Sequence, residues 1–166
     1  MFVDFYSLPS DSRIWIYQTD RSISDSESEF IQNYLTQAIE KWAAHGAPLT
    51  ASFKISHQRF ILIGLNQSLN EASGCSIDAS THWFKELGNL LGIDFFDRSI
   101  AVLDKDNIKS ISVFQVKKSI QDGIINPDSV IFNNIGVQTL SDLDKNWRIS
   151  AKNSPSIRRF FNLVSS

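Results

Sequence analysis

The chain has 166 residues, of which 42% are hydrophobic and 20% are charged, and its formal net charge is −2. This length predicts a single domain, residues 1–166, and the hydrophobic share suffices for a core. The slightly acidic balance argues against a nucleic-acid surface or an anionic membrane surface as partner, since both favour clustered positive charge.

The cysteine content and the first residues indicate a cytoplasmic protein. One cysteine cannot form an internal disulfide, which excludes a disulfide-stabilised secreted domain. The opening MFVDFYSLPSDSR carries Asp4 and lacks the basic start and long apolar run of a secretory signal. No run of about eighteen apolar residues occurs, so no transmembrane helix is predicted. We therefore expect a soluble protein of the cytoplasm.

Strand and helix patterns alternate along the first half of the chain. The segment RIWIYQT, which begins at Arg13, is typical of a strand. A helix over 24–45 is predicted next, because Ser24 and Glu27 form a capping box and apolar residues then recur at helical spacing. TASFKISHQ and RFILIGLN predict two further strands that are joined by a tight turn near His57.

The pattern continues in the second half. A helix over 76–91 is predicted, with Ser76 as its N-cap and Gly92 after its end. RSIAVLD predicts a fourth strand and IKSIS a short fifth one. A capping box at Ser112 opens a short helix that ends near Gly123, and SVIFNN is typical of a last strand before a mixed tail.

The order of the first two-thirds, β-α-β-β-α-β, predicts an α+β fold of the ferredoxin-like type. In that fold four strands form one antiparallel sheet, and the helices over 24–45 and 76–91 cover the same face. The C-terminal helix and strand would extend the sheet or cover its other face. No internal repeat or low-complexity linker marks a domain boundary.

Nucleotide and metal sites are not indicated. A P-loop needs a glycine followed by lysine, and none of the seven glycines has that neighbour. We therefore predict no ATP hydrolysis. Cys75, His45, His57 and His82 lack the close spacing of zinc ligands, so neither a metal nor a cofactor is predicted.

The segment SGCSID holds the single cysteine at the predicted start of a helix. The helix N-terminus favours a thiolate, which makes Cys75 a candidate catalytic nucleophile. A nucleophile needs a base. His82, seven residues further on, lies roughly 10 Å along the helix and is too distant. The candidate base is therefore His57, or else His45, brought close by folding.

A structural role for the same segment is the alternative, and we favour it. In this interpretation Gly74 makes the turn, Ser76 caps the helix and Asp78 complements the helix dipole. Cys75 is then a small buried residue. Asp78 supports this interpretation, because its carboxylate competes with a thiolate for the same dipole.

The segment GIDFFDRS places two phenylalanines before Asp97 and Arg98. An arginine at the rim of a pocket can hold a carboxylate or a phosphate. Asp97 and Arg98, together with Gly74, Ser76 and Asp78, are therefore the candidate ligand-binding residues. The alternative is two core aromatics followed by a surface ion pair, and it is the one we favour.

Five segments resemble a family of small uncharacterised bacterial proteins: WIYQTDR, KWAAHGAPLTASF, SGCSIDAS, DFFDR and VIFNN. Members of this family commonly carry the label "ABC transporter ATPase", and the resemblance extends from Trp15 to Trp147. An ABC ATPase has a P-loop and an SGGQ signature, and this sequence has neither. We interpret the label as a misnomer. The resemblance implies no catalytic residues.

Two functions are compatible with these patterns. We favour a non-enzymatic binding or interaction module for a protein partner or a small ligand, because no complete catalytic set can be assembled. The alternative is a thiol-dependent enzyme or redox sensor that uses Cys75, with a histidine and Arg98 as helpers. The pH dependence of Cys75 alkylation distinguishes them, since a thiol pKa well below about 8.5 favours the enzyme.

Overall fold

The computed structural model describes residues 1–68 and 74–164, except for the side chains of Cys75, Leu163 and Val164. Helices and antiparallel strands make up this part of the chain, which confirms the predicted α+β class. Among the described helices, none combines the length and the apolar character that a bilayer crossing requires.

The chain forms two compact units. The first consists of Met1–Asp97 together with Gln138–Ser141. The second consists of Arg98–Val137 and the residues from Asp142 onward. The chain thus leaves the first unit after Asp97 and returns to it for one short segment.

The described part of the first unit contains a three-stranded sheet, a small two-stranded sheet and two long helices. Their bounds are β1 (Arg13–Gln18), α1 (Asp25–Glu40), β2 (Ala43–Ala44), β3 (Ala47–Pro48), β4 (Ala51–Ser56), β5 (Phe60–Leu65) and α2 (Gly74–Leu91). The three-stranded sheet has the order β1-β5-β4, and β5 is antiparallel to both neighbours.

Strand β5 is the central strand of this sheet. Every one of its residues is apolar or glycine, and every one is buried. Ile61, Ile63 and Leu65 belong to the main core on one face of the sheet. On the opposite face, Gly64 lies close to the side chains of Leu8 and other residues of the N-terminal segment. Coverage of both faces explains the unbroken apolar run.

Both long helices pack on the same face of this sheet, as predicted. Ile31, Leu35 and Ile39 of α1 join the core that contains Ile61 and Ile63. Phe84 and Leu87 of α2 join the same core. Because alternate residues of a strand face the same side, the two helices share the face on which Ile61 and Ile63 lie.

The predicted capping box of α1 is confirmed. The backbone N–H of Glu27 donates to the Ser24 hydroxyl (3.2 Å), and the backbone N–H of Ser24 donates to the Glu27 carboxylate (3.0 Å). Arg21 also forms an ion pair with Glu27, with 2.7 Å between nitrogen and oxygen. The hydrogen bond from Arg21, followed by the one from the Ser24 backbone, lowers the pKa of Glu27 to about 2.

Helix α1 ends at Glu40, before the predicted end at residue 45. Strands β2 and β3 pair there instead, with His45 and Gly46 between them. Both turn residues have positive φ, 52° for His45 and 80° for Gly46. Two such residues form the tight hairpin turn whose twist matches that of its strands, and a helix cannot continue through them.

The strand predicted from RSIAVLD is β6 (Ile100–Asp104), and it lies in the sheet of the second unit. The remaining elements are β7 (Asn107–Ile111), α3 (Val116–Gln121), β8 (Val130–Phe132), α4 (Leu140–Asn146, which begins in the segment 138–141), β9 (Arg148–Ser150) and α5 (Arg158–Val164). The second sheet has the order β7-β6-β8-β9.

The predicted ferredoxin-like order is therefore not confirmed. β6 pairs with β7 and β8 rather than with a strand of the first sheet. Its pairing with β7 needs only a two-residue turn, in which Lys105 has a φ of 59°. Such a local hairpin closes at a much smaller entropic cost than a pairing across most of the chain.

The second unit has its own hydrophobic core. It joins residues of the sheet to residues of the flanking helices and turns: Val102, Ile111, Val116, Ile125, Ile131, Ala151 and Ile157. The predicted helix start at Ser112 is a short 3-10 turn, in which the Ser112 hydroxyl accepts from the backbone N–H of Phe114 (3.3 Å). Helix α3 follows it directly.

Replacing Gly88 with alanine should lower the free energy of unfolding by about 1–3 kcal/mol. On helix propensity alone the change would raise it by about 1 kcal/mol. Here a Cβ at position 88 would lie 2.7 Å from the backbone carbonyl oxygen of Ile93, which cannot rotate away as a side chain can. Urea denaturation measures the outcome.

Gly74→Ala is the control, because a Cβ at that position meets nothing within 4 Å. We expect this variant to stay within about 0.5 kcal/mol of the wild type. Equal stability of the Gly88 variant and the wild type would show that the chain after α2 can shift without loss.

Candidate functional site

A groove runs along the outer edge of β4 and has a volume of about 730 Å³. Residues 2–6 form one wall, and Ser28 and Gln32 of α1 line the other. Residues 52–55 of β4 form the floor. We call this feature the β4 groove.

The floor of the β4 groove carries unpaired backbone groups. At Ala51 both groups are paired: its N–H donates to the Met1 carbonyl (3.1 Å), and its carbonyl accepts from Val3 (3.0 Å). In an antiparallel pair every second residue directs its backbone groups to the same side. Phe53 and Ile55 therefore direct theirs away from β5, and no other described residue bonds them.

The outer edge of β1 is different, because backbone from elsewhere covers both of its ends. The N–H of Ile14 donates to the Gln138 carbonyl (2.9 Å). At the other end the Gln18 carbonyl accepts from the N–H of Asp97 (3.1 Å). Within residues 1–68 and 74–164, backbone covers the edge of β4 only at its start, so its later residues are the accessible ones.

The two sides of the β4 groove differ in chemistry. The rings of Phe53 and Phe2 lie 5.6 Å apart on the side that faces the main core. On the other side, Lys54 donates to the Tyr6 hydroxyl (2.7 Å), and its Nζ lies 5.0 Å from the centre of that ring. The buried hydroxyl of Ser52 is on the same side as Lys54 and has no partner among the described residues.

His57, the predicted base, lies at one end of the β4 groove. His57 and Gln58 form the turn between β4 and β5, with φ of 54° and 56°. The imidazole Nδ1 lies 2.7 Å from the Ser56 hydroxyl. The side chain of Cys75 lies outside the described residues, so its pairing with His57 stays a prediction.

The predicted role of Ser76 as the N-cap of α2 is wrong. The helix begins at Gly74, so Ser76 lies in the first turn and is not the N-cap. Ser76 is buried, and its carbonyl accepts from the Trp42 indole N–H (2.9 Å). Asp78 is exposed.

The predicted pair Asp97 and Arg98 is divided between the two units. Asp97 accepts a hydrogen bond from the Gln18 side chain (3.1 Å) in the first unit. Arg98 begins the second unit and is exposed. Of the preceding aromatics, Phe95 is in the core and Phe96 is 40% exposed. The ligand-binding role of the pair stays a prediction.

A buried arginine, which the sequence analysis did not identify, lies beside Asp97. Arg59 is only 5% exposed. Its Nε and Nη2 donate to the Thr19 carbonyl at 3.2 and 2.9 Å. Burial lowers the pKa of Arg59, and the charges of Asp97 and Asp20 oppose this effect. Arg59 thus joins the end of β1 to the start of β5, and the geometry indicates a structural role.

The described residues contain no group of three or more His, Cys, Asp or Glu that could hold a metal ion. Comparison with family models, with curated proteins and with solved structures finds no match to this chain.

Proposed function

We propose that this chain is a non-enzymatic binding module that takes up an extended peptide segment along the edge of β4. The observation that supports this proposal is the pair of successive outward-facing residues, Phe53 and Ile55, whose backbone groups are unpaired within the described chain. An extended peptide can satisfy these groups by adding a strand to the sheet.

The spacing of the unpaired groups favours a peptide over a small ligand. Phe53 and Ile55 present two N–H donors and two carbonyl acceptors at the repeat of a strand, which another extended backbone matches. The walls favour a peptide over a second copy of this chain. A second copy would bring its own N-terminal segment and its own α1 to the same edge, whereas a peptide brings only a single strand.

We expect the affinity to be modest. Four backbone hydrogen bonds contribute a net total of about 2–6 kcal/mol. Burial of side chains against Phe2 and Phe53 adds to this, while ordering a free peptide subtracts from it. Dissociation constants of about 1 μM to 1 mM are the expected range. The proposed binding needs neither nucleotide nor metal, and the thiol-dependent alternative stays a prediction.

Selection of a displayed library of random heptapeptides on the immobilised protein tests the proposal. We expect enriched peptides that shift the amide resonances of Phe53 and Ile55 in the isotope-labelled protein. Gln32→Trp should weaken their binding at least about tenfold, because the indole fills the groove. A library without enrichment, or shifts centred away from β4, would contradict the proposal.

Gln37→Trp is the matched control for Gln32→Trp. Gln37 is the same residue type on the same helix, is exposed, and does not line the groove. This variant should bind the enriched peptides as the wild type does. Equal loss of binding in both variants would show that a tryptophan on α1 weakens binding by disturbing the helix and not by filling the groove.

A further inference from the structure

We infer that the peptide preferred by the β4 groove alternates apolar and acidic side chains, with an acidic side chain opposite Lys54. This inference rests on the proposed strand addition and names the class of peptide that it selects. It follows from the backbone register at the β4 edge and from the different side chains on the two sides of the β4 groove.

The register allows only a short guest strand. Met1–Val3 already runs parallel to the start of β4, with Phe2 opposite Ala51, and occupies both backbone groups of Ala51. The guest therefore pairs beyond this point, at Phe53 and Ile55. Paired residues of neighbouring strands direct their side chains to the same face. The guest residue opposite Lys54 thus lies on the Lys54 side, and its two neighbours lie on the side of Phe53 and Ile55.

The side of Phe53 and Ile55 favours apolar guest side chains. Both residues are only partly buried and pack against the main core, as does Phe2. Ser28 and Gln32 bond each other at 3.0 Å on the α1 wall and form a polar rim. An apolar guest side chain covers the exposed parts of these aromatic and aliphatic groups and gains the free energy of their burial.

The side of Lys54 favours an acidic guest side chain. Lys54 is half-buried and donates to the hydroxyl of Tyr6, and no described carboxylate forms an ion pair with it. The carboxylate of Asp4, which also lines the groove, accepts instead from the backbone N–H of Tyr6 (3.1 Å). A guest carboxylate opposite Lys54 therefore meets a cation.

Three capped heptapeptides test the inference: GVEVEVG, GVQVQVG and GVKVKVG. Isothermal titration or fluorescence anisotropy at low ionic strength gives their dissociation constants. We expect the glutamate peptide to bind about two- to fivefold more tightly than the glutamine peptide, the range of a partly exposed ion pair. The lysine peptide should be the weakest. The advantage of glutamate should shrink as salt is added.

Variants of Lys54 test whether this residue causes the preference for the glutamate peptide. Lys54→Gln should abolish the advantage of the glutamate peptide, and Lys54→Arg should keep it. Lys85→Gln, which removes an exposed cation of α2 outside the groove, should leave it unchanged. Equal binding of the glutamate and glutamine peptides to the wild type would overturn this inference alone. Failure of all three peptides to bind would also contradict the proposed strand addition.

Discussion

Replacing Phe84 with alanine should lower the free energy of unfolding by about 3–5 kcal/mol. Phe84 is completely buried in α2, and its ring centre lies 3.9 Å from that of Tyr17 and 5.4 Å from that of Phe95. Alanine removes these contacts and leaves a cavity where helix and sheet meet. Urea denaturation followed by tryptophan fluorescence measures the loss.

Leu90→Ala is the control on the same helix. Leu90 is 58% exposed, so its truncation removes little buried surface. We expect a change within about 0.5 kcal/mol. A Phe84 variant that is as stable as the Leu90 variant would mean that the core can collapse around the missing ring.

Replacing Arg59 with methionine should cost about 3–5 kcal/mol, the range for breaking one partner of a buried charged network. Methionine keeps much of the apolar stem but removes both donors to the Thr19 carbonyl. It also removes the cation beside Asp97. Chemical denaturation at pH 7 measures the effect.

A double-mutant cycle separates the charge pair from the carbonyl contacts. Asp97→Asn in the Arg59→Met background should cost less than the same change in the wild type, because the cation is already absent. Lys85→Met, at an exposed cation, should stay within about 0.5 kcal/mol. Strict additivity of the two changes would show that Arg59 and Asp97 act independently.

Features that depend on neighbouring residues were predictable from the sequence. The capping box of Ser24 and Glu27 needs only a four-residue pattern, and its hydrogen bonds are present. The turn at His57 and the buried strand after it are likewise encoded within a few residues. Each of these sequence patterns spans only a few residues, so the structure that it predicts does not depend on distant parts of the chain.

The choice of sheet for β6 was not predictable in this way. The order β-α-β-β-α-β is the same whether the fourth strand joins the first sheet or starts a new one. The apolar pattern of β6 shows that it is buried but not which strand it pairs with. Its partner is decided by the short turn to β7 and by β8 further along the chain.

The β4 groove carries no sequence motif, because its main chemical groups are backbone N–H and carbonyl groups that almost every residue has. Phe53 and Ile55 become accessible only because the pairing of Met1–Val3 stops at Ala51. Cys75, by contrast, was a candidate because it is the single cysteine of the sequence. The sequence gives only a weak indication that Arg59 is buried. The indication is that this charged residue directly precedes the apolar run FILIGL.

The covered edge of β1 has a consequence for synthesis of the protein on the ribosome. Ile14 receives its partner from Gln138, and Leu140 donates to the Ser12 carbonyl (2.9 Å). At about 5–20 residues per second, these partners emerge roughly 6–25 s after β1. The Ile14 end of the β1 edge stays uncovered during that interval, when chaperones or neighbouring chains can pair with it. A fragment that ends at residue 97 would keep the Ile14 end of this edge uncovered permanently.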